Sequence, residues 1–333
     1  MDTSPVPCPL EHVPCFLCNN SGQPDVIYEA KYDHVRDADL RGKFRATGDE
    51  LLIDRLVRCR LCGFQYVSPR LRGDLIYSLY TEGADPNYVS QIEARKRTFS
   101  ASLAGIERAA GGTGRLLDIG TAAGAFVAAA RERGWDAEGC EPNRWLAEWG
   151  RKHYGITIRP GGIFDQDYQE GTFDVITLWD VIEHTPNPQA VLKRCRDLLK
   201  PGGILVVNYP DIGSWIARIL GRRWLFLTSV HLFYFDRRTM RLMLEKTGYT
   251  VDAVRPHVQR LELDYLLSRG SVLSSVLSSG GRALIRRLNL ARTQVPYWLG
   301  QTFVVGRRTL VVLLHVLPSV ETQVILQAAL SLA

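Results

Sequence analysis

No run of apolar residues in the chain is long enough to cross a bilayer. The most hydrophobic one, TLVVLLHVLPSV at residues 309–320, stops at Pro318 and the polar ETQ that follows, short of the roughly 18–20 residues a spanning helix needs. The first residues, MDTSPVPCPLEHVPC, lack the basic segment and apolar core of a secretory signal, so a cytoplasmic location is expected. Neither sign of charge dominates. The formal net charge of +6 fits an anionic substrate, a membrane surface or nucleic acid without choosing among them. Cysteine is nearly absent from most of the chain, where only Cys140 and Cys195 follow residue 62, and a disulfide framework is not expected in a chain without an export signal. There is no internal repeat.

The other five cysteines lie within the first 62 residues. Four of them form two C-x-x-C pairs, Cys15 with Cys18 and Cys59 with Cys62, separated by 40 residues. Each pair directs two thiolates to one side of a tight turn, so the two together supply a tetrahedral S4 set suited to structural zinc. A redox pair or an iron site has the same spacing. Cys8 and His12 are spare candidates. Four protein ligands leave no open position, so this metal is expected to hold a small zinc-ribbon-like module together, over residues 1–72, and not to catalyse.

A helical linker is expected over 73–112, with Ile92, Phe99, Leu103 and Ile106 on one face. From 113 to 308 strands and helices alternate, which predicts an α/β fold with a parallel sheet covered by helices on both faces. RLLDIG, DAEGCEP, FDVITLWDV and GGILVVNYP read as strands, with Asn143 and Asp236 as helix caps and Gly155 as a helix end. YTVDAVRP and TFVVGRR supply two later strands, and between them residues 260–298 form a helical, Arg-rich insert. The apolar tail, 309–333, follows.

The first strand runs into LLDIGTAAGAF. A dinucleotide loop wants glycines spaced G-x-G-x-x-G, and the corresponding residues are Gly120, Ala122 and Ala125. A better match is an acidic residue followed by G-x-G-x-G, where Asp118, Gly120, Ala122 and Gly124 fill the places and only Ala122 departs. With this loop, Glu141 closing the next strand 23 residues after Asp118, and the blocks GTFDVITLWDVIEHTPNP and LLKPGGILVVNYP, the chain resembles the class I S-adenosylmethionine-dependent methyltransferases. The resemblance covers residues 115–257 and implies a Rossmann-like, seven-stranded doubly wound sheet. It implies S-adenosyl-L-methionine as cofactor, with Asp118, Gly120, Thr121, Gly124, Glu141 and Pro142 around it and Glu141 holding both ribose hydroxyls. Asp165 would meet the adenine, and Trp179 and Asp180 the sulfonium end. The zinc module ahead of such a domain is similar to the arrangement in bacterial sugar C-methyltransferases and in methyltransferases of polysaccharide gene clusters.

That second resemblance implies a sugar-nucleotide or glycan acceptor, methylated at carbon or oxygen. It also implies His231, in HLFYF, as the base, although Val230 stands where those enzymes carry an acidic residue. His184 is the other candidate base, and Tyr88 and Tyr234 are candidate acceptor-site residues. A nucleic-acid methyltransferase is disfavoured, because the fourth strand ends in LWDVIEH and not in an N/D-P-P-aromatic block, and the Pro-Cys pairs all lie in the first module. A non-catalytic cofactor-binding platform is one alternative. Another is a quinone- or lipid-like O-methyltransferase, with the basic insert and tail in peripheral contact with the inner membrane face. The simpler expectation for the insert is that it caps the acceptor pocket.

Overall fold

The structure, a computed structural model, describes residues 9–31, 52–269 and 275–309. Cys8 and most of the apolar tail lie outside them. The N-terminal strands are β1 (Leu10–Glu11), β2 (Asp25–Tyr28), β3 (Leu56–Arg58), β4 (Gln65–Val67) and β5 (Arg70–Leu71). Three helices follow: α1 (Gly73–Thr81), α2 (Pro86–Ser90) and α3 (Ile92–Ala110). The expected helical linker is thus three helices, interrupted at 82–85 and at Gln91, and Gly111 ends the last in a left-handed conformation at φ +80°.

Then come β6 (Arg115–Ile119), α4 (Ala125–Glu132), β7 (Asp136–Glu141), α5 (Arg144–Tyr154), β8 (Ile158–Pro160), β9 (Phe173–Trp179), α6 (Pro188–Leu198) and β10 (Leu199–Pro210). The chain continues through α7 (Trp215–Leu220), β11 (Phe233–Tyr234), α8 (Arg237–Lys246) and β12 (Tyr249–Pro256). It ends in β13 (Gln259–Glu262), α9 (Leu263–Arg269), α10 (Ser275–Arg287), β14 (Gln294–Tyr297) and β15 (Gln301–Arg308). The caps fall where the sequence places them: Asn143 accepts the Leu146 amide, Asp236 accepts the Thr239 amide, and Gly155 closes α5.

Seven strands make the main sheet, in the order β12-β15-β10-β9-β6-β7-β8. Only β15 runs antiparallel to its neighbours, between β10 and β12. Near-continuous apolar runs in β6, β9 and β10 follow from burial on both faces. On one face α4 is sandwiched between sheet and α3, which is why Ala125 to Ala130 are all buried. The chain leaves β6 toward β7 and β8, then crosses back to β9 on the other side. The strand order therefore reverses at β6, and the carboxyl ends of β6 and β9 open a crevice of the kind that receives ligands in open α/β sheets.

The expected insert is partly helical, as α9 and α10, and partly a two-stranded ribbon of β13 and β14. The N-terminal region forms a four-stranded sheet in the order β11-β4-β3-β2, so a strand from beyond residue 230 completes the expected first module. Phe64 lies 5.7 Å from Phe233 and 4.9 Å from Phe235, ring centre to ring centre, and one apolar core joins the two parts.

Candidate cofactor and acceptor site

The crevice encloses a cavity of about 380 Å³. β6 delivers the chain into the loop at 120–124, where Gly120 (φ +65°), Ala122 (φ +49°) and Gly124 (φ +74°) all take left-handed conformations. For alanine this costs on the order of 1–2 kcal/mol. The cost is offset by Glu141, whose Oε2 accepts the Ala122 amide at 2.7 Å. Glu141 Oε1 accepts the Asn143 amide, also at 2.7 Å, and the Tyr80 side chain of α1 stands close to the same carboxylate. Glu141 has no solvent exposure, and burial pushes it up to about 7 against the pull of those two amides. Gly150 lets α5 approach the loop, since a Cβ there would meet the Ala123 carbonyl oxygen at 2.5 Å.

Asp118 does not cap the following helix, whose first turn has no side-chain cap. It is buried in the sheet, accepts the Thr177 hydroxyl at 2.6 Å and is raised by burial to about 7. Trp179 is both core and lining: it packs 5.1 Å from Phe99 and 5.0 Å from Phe126 while facing the cavity. Its indole nitrogen and the Thr121 hydroxyl are buried without partners among the described residues. Asp165 accepts the Gly162 amide at 2.7 Å and bonds the Tyr77 hydroxyl.

The cavity wall thus brings together Asp118, Gly120, Thr121, Pro142, Trp179 and Asp180 of the expected set. Gly124, Glu141 and Asp165 stand behind it, shaping the loop and the turn that do line it. Asp180 leaves β9 at φ +52° and accepts the Asn208 amide group at 2.6 Å. Burial raises it to about 6, with Arg95 opposing.

Beyond Asp180, Glu183, His184 and His231 converge. The segment carrying His231 is docked by its backbone: Leu232 donates to the Glu183 carbonyl at 2.8 Å, and Val67 donates to the Leu232 carbonyl at 2.9 Å. His184 Nδ1 lies 2.9 Å from the Val230 carbonyl oxygen and His231 Nδ1 lies 2.8 Å from that of Phe226. A carbonyl only accepts, so both Nδ1 atoms carry the proton and both Nε2 lone pairs are free. Burial holds His184 down at about 4 and His231 well below its ordinary value, and both rings are neutral at pH 7. Tyr234 is not an acceptor-site residue; its hydroxyl donates to the Thr228 carbonyl at 2.8 Å inside the core. Tyr88 lines the cavity beneath the Arg95 guanidinium, 4.4 Å from the ring centre, and Tyr265 and Tyr297 of the insert close the same end.

Sequence reasoning missed Tyr80, Arg95 and Glu183. For Glu183 the signal is the Glu-His dipeptide at 183–184. Tyr80 and Arg95 sit in ordinary helical patterns that carry no such signal.

At the N-terminus the four cysteines meet. Cys15 and Cys62 sulfurs are 3.4 Å apart, Cys18 and Cys59 3.5 Å, and all four lie within 4.8 Å of one another. With metal–sulfur bonds of about 2.3 Å, tetrahedral ligands have edges near this length. His12 is exposed and outside the cluster.

Residues 90–254 match the family described as a methyltransferase domain. Among curated proteins, the Ubiquinone biosynthesis O-methyltransferase of Idiomarina loihiensis is 29% identical over 117 residues, covering 32% of this chain and 47% of the relative. The protein of that name from Vibrio parahaemolyticus is 27% identical over 179 residues, covering 49% and 76%. The chain spans half or less of the length of the relatives it matches first. Among solved structures, a SAM dependent methyltransferase from Archaeoglobus fulgidus aligns with a TM-score of 0.45 at 16% identity, over 67% of this chain and 100% of that one.

Proposed function

We propose, from the premise that residues 90–254 are a methyltransferase domain of the class I, S-adenosylmethionine-dependent kind, that the whole chain methylates a small-molecule acceptor in the crevice. S-adenosylmethionine supplies an electrophilic methyl group. The observation that carries the reading is a single cavity lined at one end by Asp118, Gly120 and Thr121 and at the other by His184 and His231. The residues fit the cofactor: Thr121 and Trp179, whose buried Nε1 has no partner among the described residues, both line the space it would fill. Loop backbone at 120–122 would hold its amino-acid part, and Glu141, fully buried behind the wall, would reach its ribose once neighbouring side chains move aside. Ile163 and Phe164, which line the cavity, would flank the adenine, with Asp165 fixing their turn. Trp179 and Asp180 suit a sulfonium, as an aromatic face and a carboxylate.

The acceptor enters beneath the insert, between Tyr88, Tyr265 and Tyr297. Alignment with the methyl carbon supplies much of the rate, and the free Nε2 atoms of His184 and His231 are the groups placed to activate the acceptor. The wall around them is mainly apolar and aromatic, and the curated relatives are named for ubiquinone biosynthesis; both favour oxygen methylation of a quinone-like hydroxyl. A sugar-nucleotide or glycan acceptor is the second reading, supported by the position of His231 in HLFYF at the cavity wall.

Structural zinc on Cys15, Cys18, Cys59 and Cys62 belongs to the same proposal, supported by the four-sulfur geometry. No helix among the described residues is long and apolar enough to cross a membrane. Peripheral contact is part of the quinone-like reading and is read by retention on anionic vesicles.

Titration of the purified chain with S-adenosylhomocysteine, with metal analysis of the same sample, is the direct test. One-to-one binding is expected. A folded, zinc-loaded chain that binds none would leave a non-catalytic platform. Methyl transfer to catechol-like against sugar-nucleotide panels then separates the two acceptors.

A further inference from the structure

Glu183 poses a problem that methyl transfer alone does not solve. Its side chain is 1% exposed, and both carboxylate oxygens lack a hydrogen-bond partner from another described residue. A buried carboxylate without partners is costly unless it is neutralised or paired. Asp180, a second carboxylate, lines the same cavity. The neighbours it does have are two imidazoles on the cavity wall whose Nδ1 protons are committed to backbone carbonyls, which leaves each Nε2 unprotonated. The Thr228 hydroxyl, also on the wall, is buried and unpartnered as well.

This is the donor set of a cation site. Metal-bound histidines commonly donate the other ring N–H to a carbonyl, which fixes tautomer and orientation. Here that outer shell is in place on both rings. One ligand atom from each of Glu183, His184 and His231 lies within 4.8 Å of the others, a spread that a single ion can span with bonds of about 2.0–2.2 Å after small side-chain rotations. A divalent cation offsets the buried Glu183 carboxylate and the half-buried Asp180 beside it.

We propose that Glu183, His184 and His231 form a divalent-metal site at the acceptor end of the cavity, distinct from the four-cysteine cluster and with a position left open to the cavity. Two imidazoles and a carboxylate suit zinc, manganese, iron or cobalt rather than calcium or magnesium. Three protein ligands leave room for an oxygen donor, so the acceptor class it selects is one that presents a hydroxyl, alone or beside a second oxygen. In this arrangement the two histidines are ligands, and the expectation of a histidine base is replaced by acidification of the acceptor hydroxyl. The role of the cation rests on the methyl-transfer reading; the site itself does not.

The test uses the full chain with its cysteine cluster loaded with zinc, and Mn2+ as the probe, because thiolate sets prefer softer ions. Calorimetry is expected to show one Mn2+ equivalent and a rise in thermal midpoint on adding Mn2+. Glu183→Gln keeps the shape and removes the charge, so the metal-free chain keeps its midpoint while Mn2+ binding weakens more than about tenfold. His231→Asn, checked for folding by circular dichroism, loses the equivalent as well. Absence of binding in the parent chain, or unchanged binding in folded Glu183→Gln, overturns the proposal. S-adenosylhomocysteine titrated into the same samples keeps the two readings apart: cofactor bound without Mn2+ overturns only the metal site, and Mn2+ bound without cofactor overturns only methyl transfer.

Discussion

Tyr80→Phe is expected to tighten cofactor binding, a direction opposite to that of most substitutions beside a ligand site. A carboxylate offers about four lone-pair positions. In Glu141 two are taken by the Ala122 and Asn143 amides, both at 2.7 Å, and the Tyr80 side chain stands against a third. Two ribose hydroxyls need two positions, one more than remains. The amides belong to the loop and to the start of α5 and cannot leave without dismantling both, so the tyrosine must yield. A hydrogen bond to a charged group is worth about 1.5–3 kcal/mol net, and to a neutral one about 0.5–1.5. Glu141 sits near 7, between these cases, and about 1.4 kcal/mol is a tenfold change in affinity. Removing the hydroxyl should therefore lower the dissociation constant for S-adenosylhomocysteine by about three- to tenfold, while unfolding in urea becomes easier by a similar free energy. Titration calorimetry at pH 7 reads the first and a denaturant series the second. Weaker binding in Tyr80→Phe would mean that the hydroxyl contacts the ligand itself, and the reasoning about Glu141 would be wrong.

Three further outcomes test separate parts of the structure. With zinc on the four cysteines, Cys59→Ser should cost the chain that metal and unfold the strands β1–β5, because a structural zinc site contributes about 10–16 kcal/mol in small modules, more than most domains have in reserve; full metal content in the variant would show the ligand set to be wrong. Gly150→Ala should destabilise by about 1–3 kcal/mol despite alanine's better helix propensity, because its Cβ would press on the Ala123 carbonyl, and a gain in stability would show that α5 does not sit that close. His257 is buried with Nε2 unpartnered and is pushed down to about 4. The unfolded chain therefore binds a proton near pH 6.5 that the fold refuses, and this contribution to stability, intact above 6.5, is lost as pH falls toward 4. His257→Phe removes that loss, so its advantage over the parent should grow by up to about 1.4 kcal/mol per pH unit across that window; a constant difference in urea midpoints from pH 7 to 4.5 would refute the assignment.

The parts of this structure legible in the sequence are those written locally. Apolar runs in β6, β9 and β10 announce a doubly buried parallel sheet, Asn143 and Asp236 announce helix starts, and the cysteine pairs announce their own cluster. The parts that were not legible depend on partners far along the chain. Glu141 looks from the sequence like a strand-end carboxylate facing a ligand. Only the fold shows that it first holds the loop, through the Ala122 amide, and so compensates the left-handed alanine that departs from the expected pattern. The first module likewise reads as complete at residue 72, yet its fourth strand is β11, because Phe233 and Phe235 bury themselves against Phe64. That pairing has a functional consequence. The Val67 amide holds the Leu232 carbonyl and the Leu232 amide holds the Glu183 carbonyl, so a backbone path runs from the cysteine knuckle through β4 to the turn that carries Glu183 and His184. His231 lies one residue from that path. A metal at the four cysteines would therefore do more than stabilise its own module: by holding β4 it would help set the distance between His231 and His184, whose rings stand 4.7 Å apart, and with it the geometry of the proposed acceptor end of the cavity.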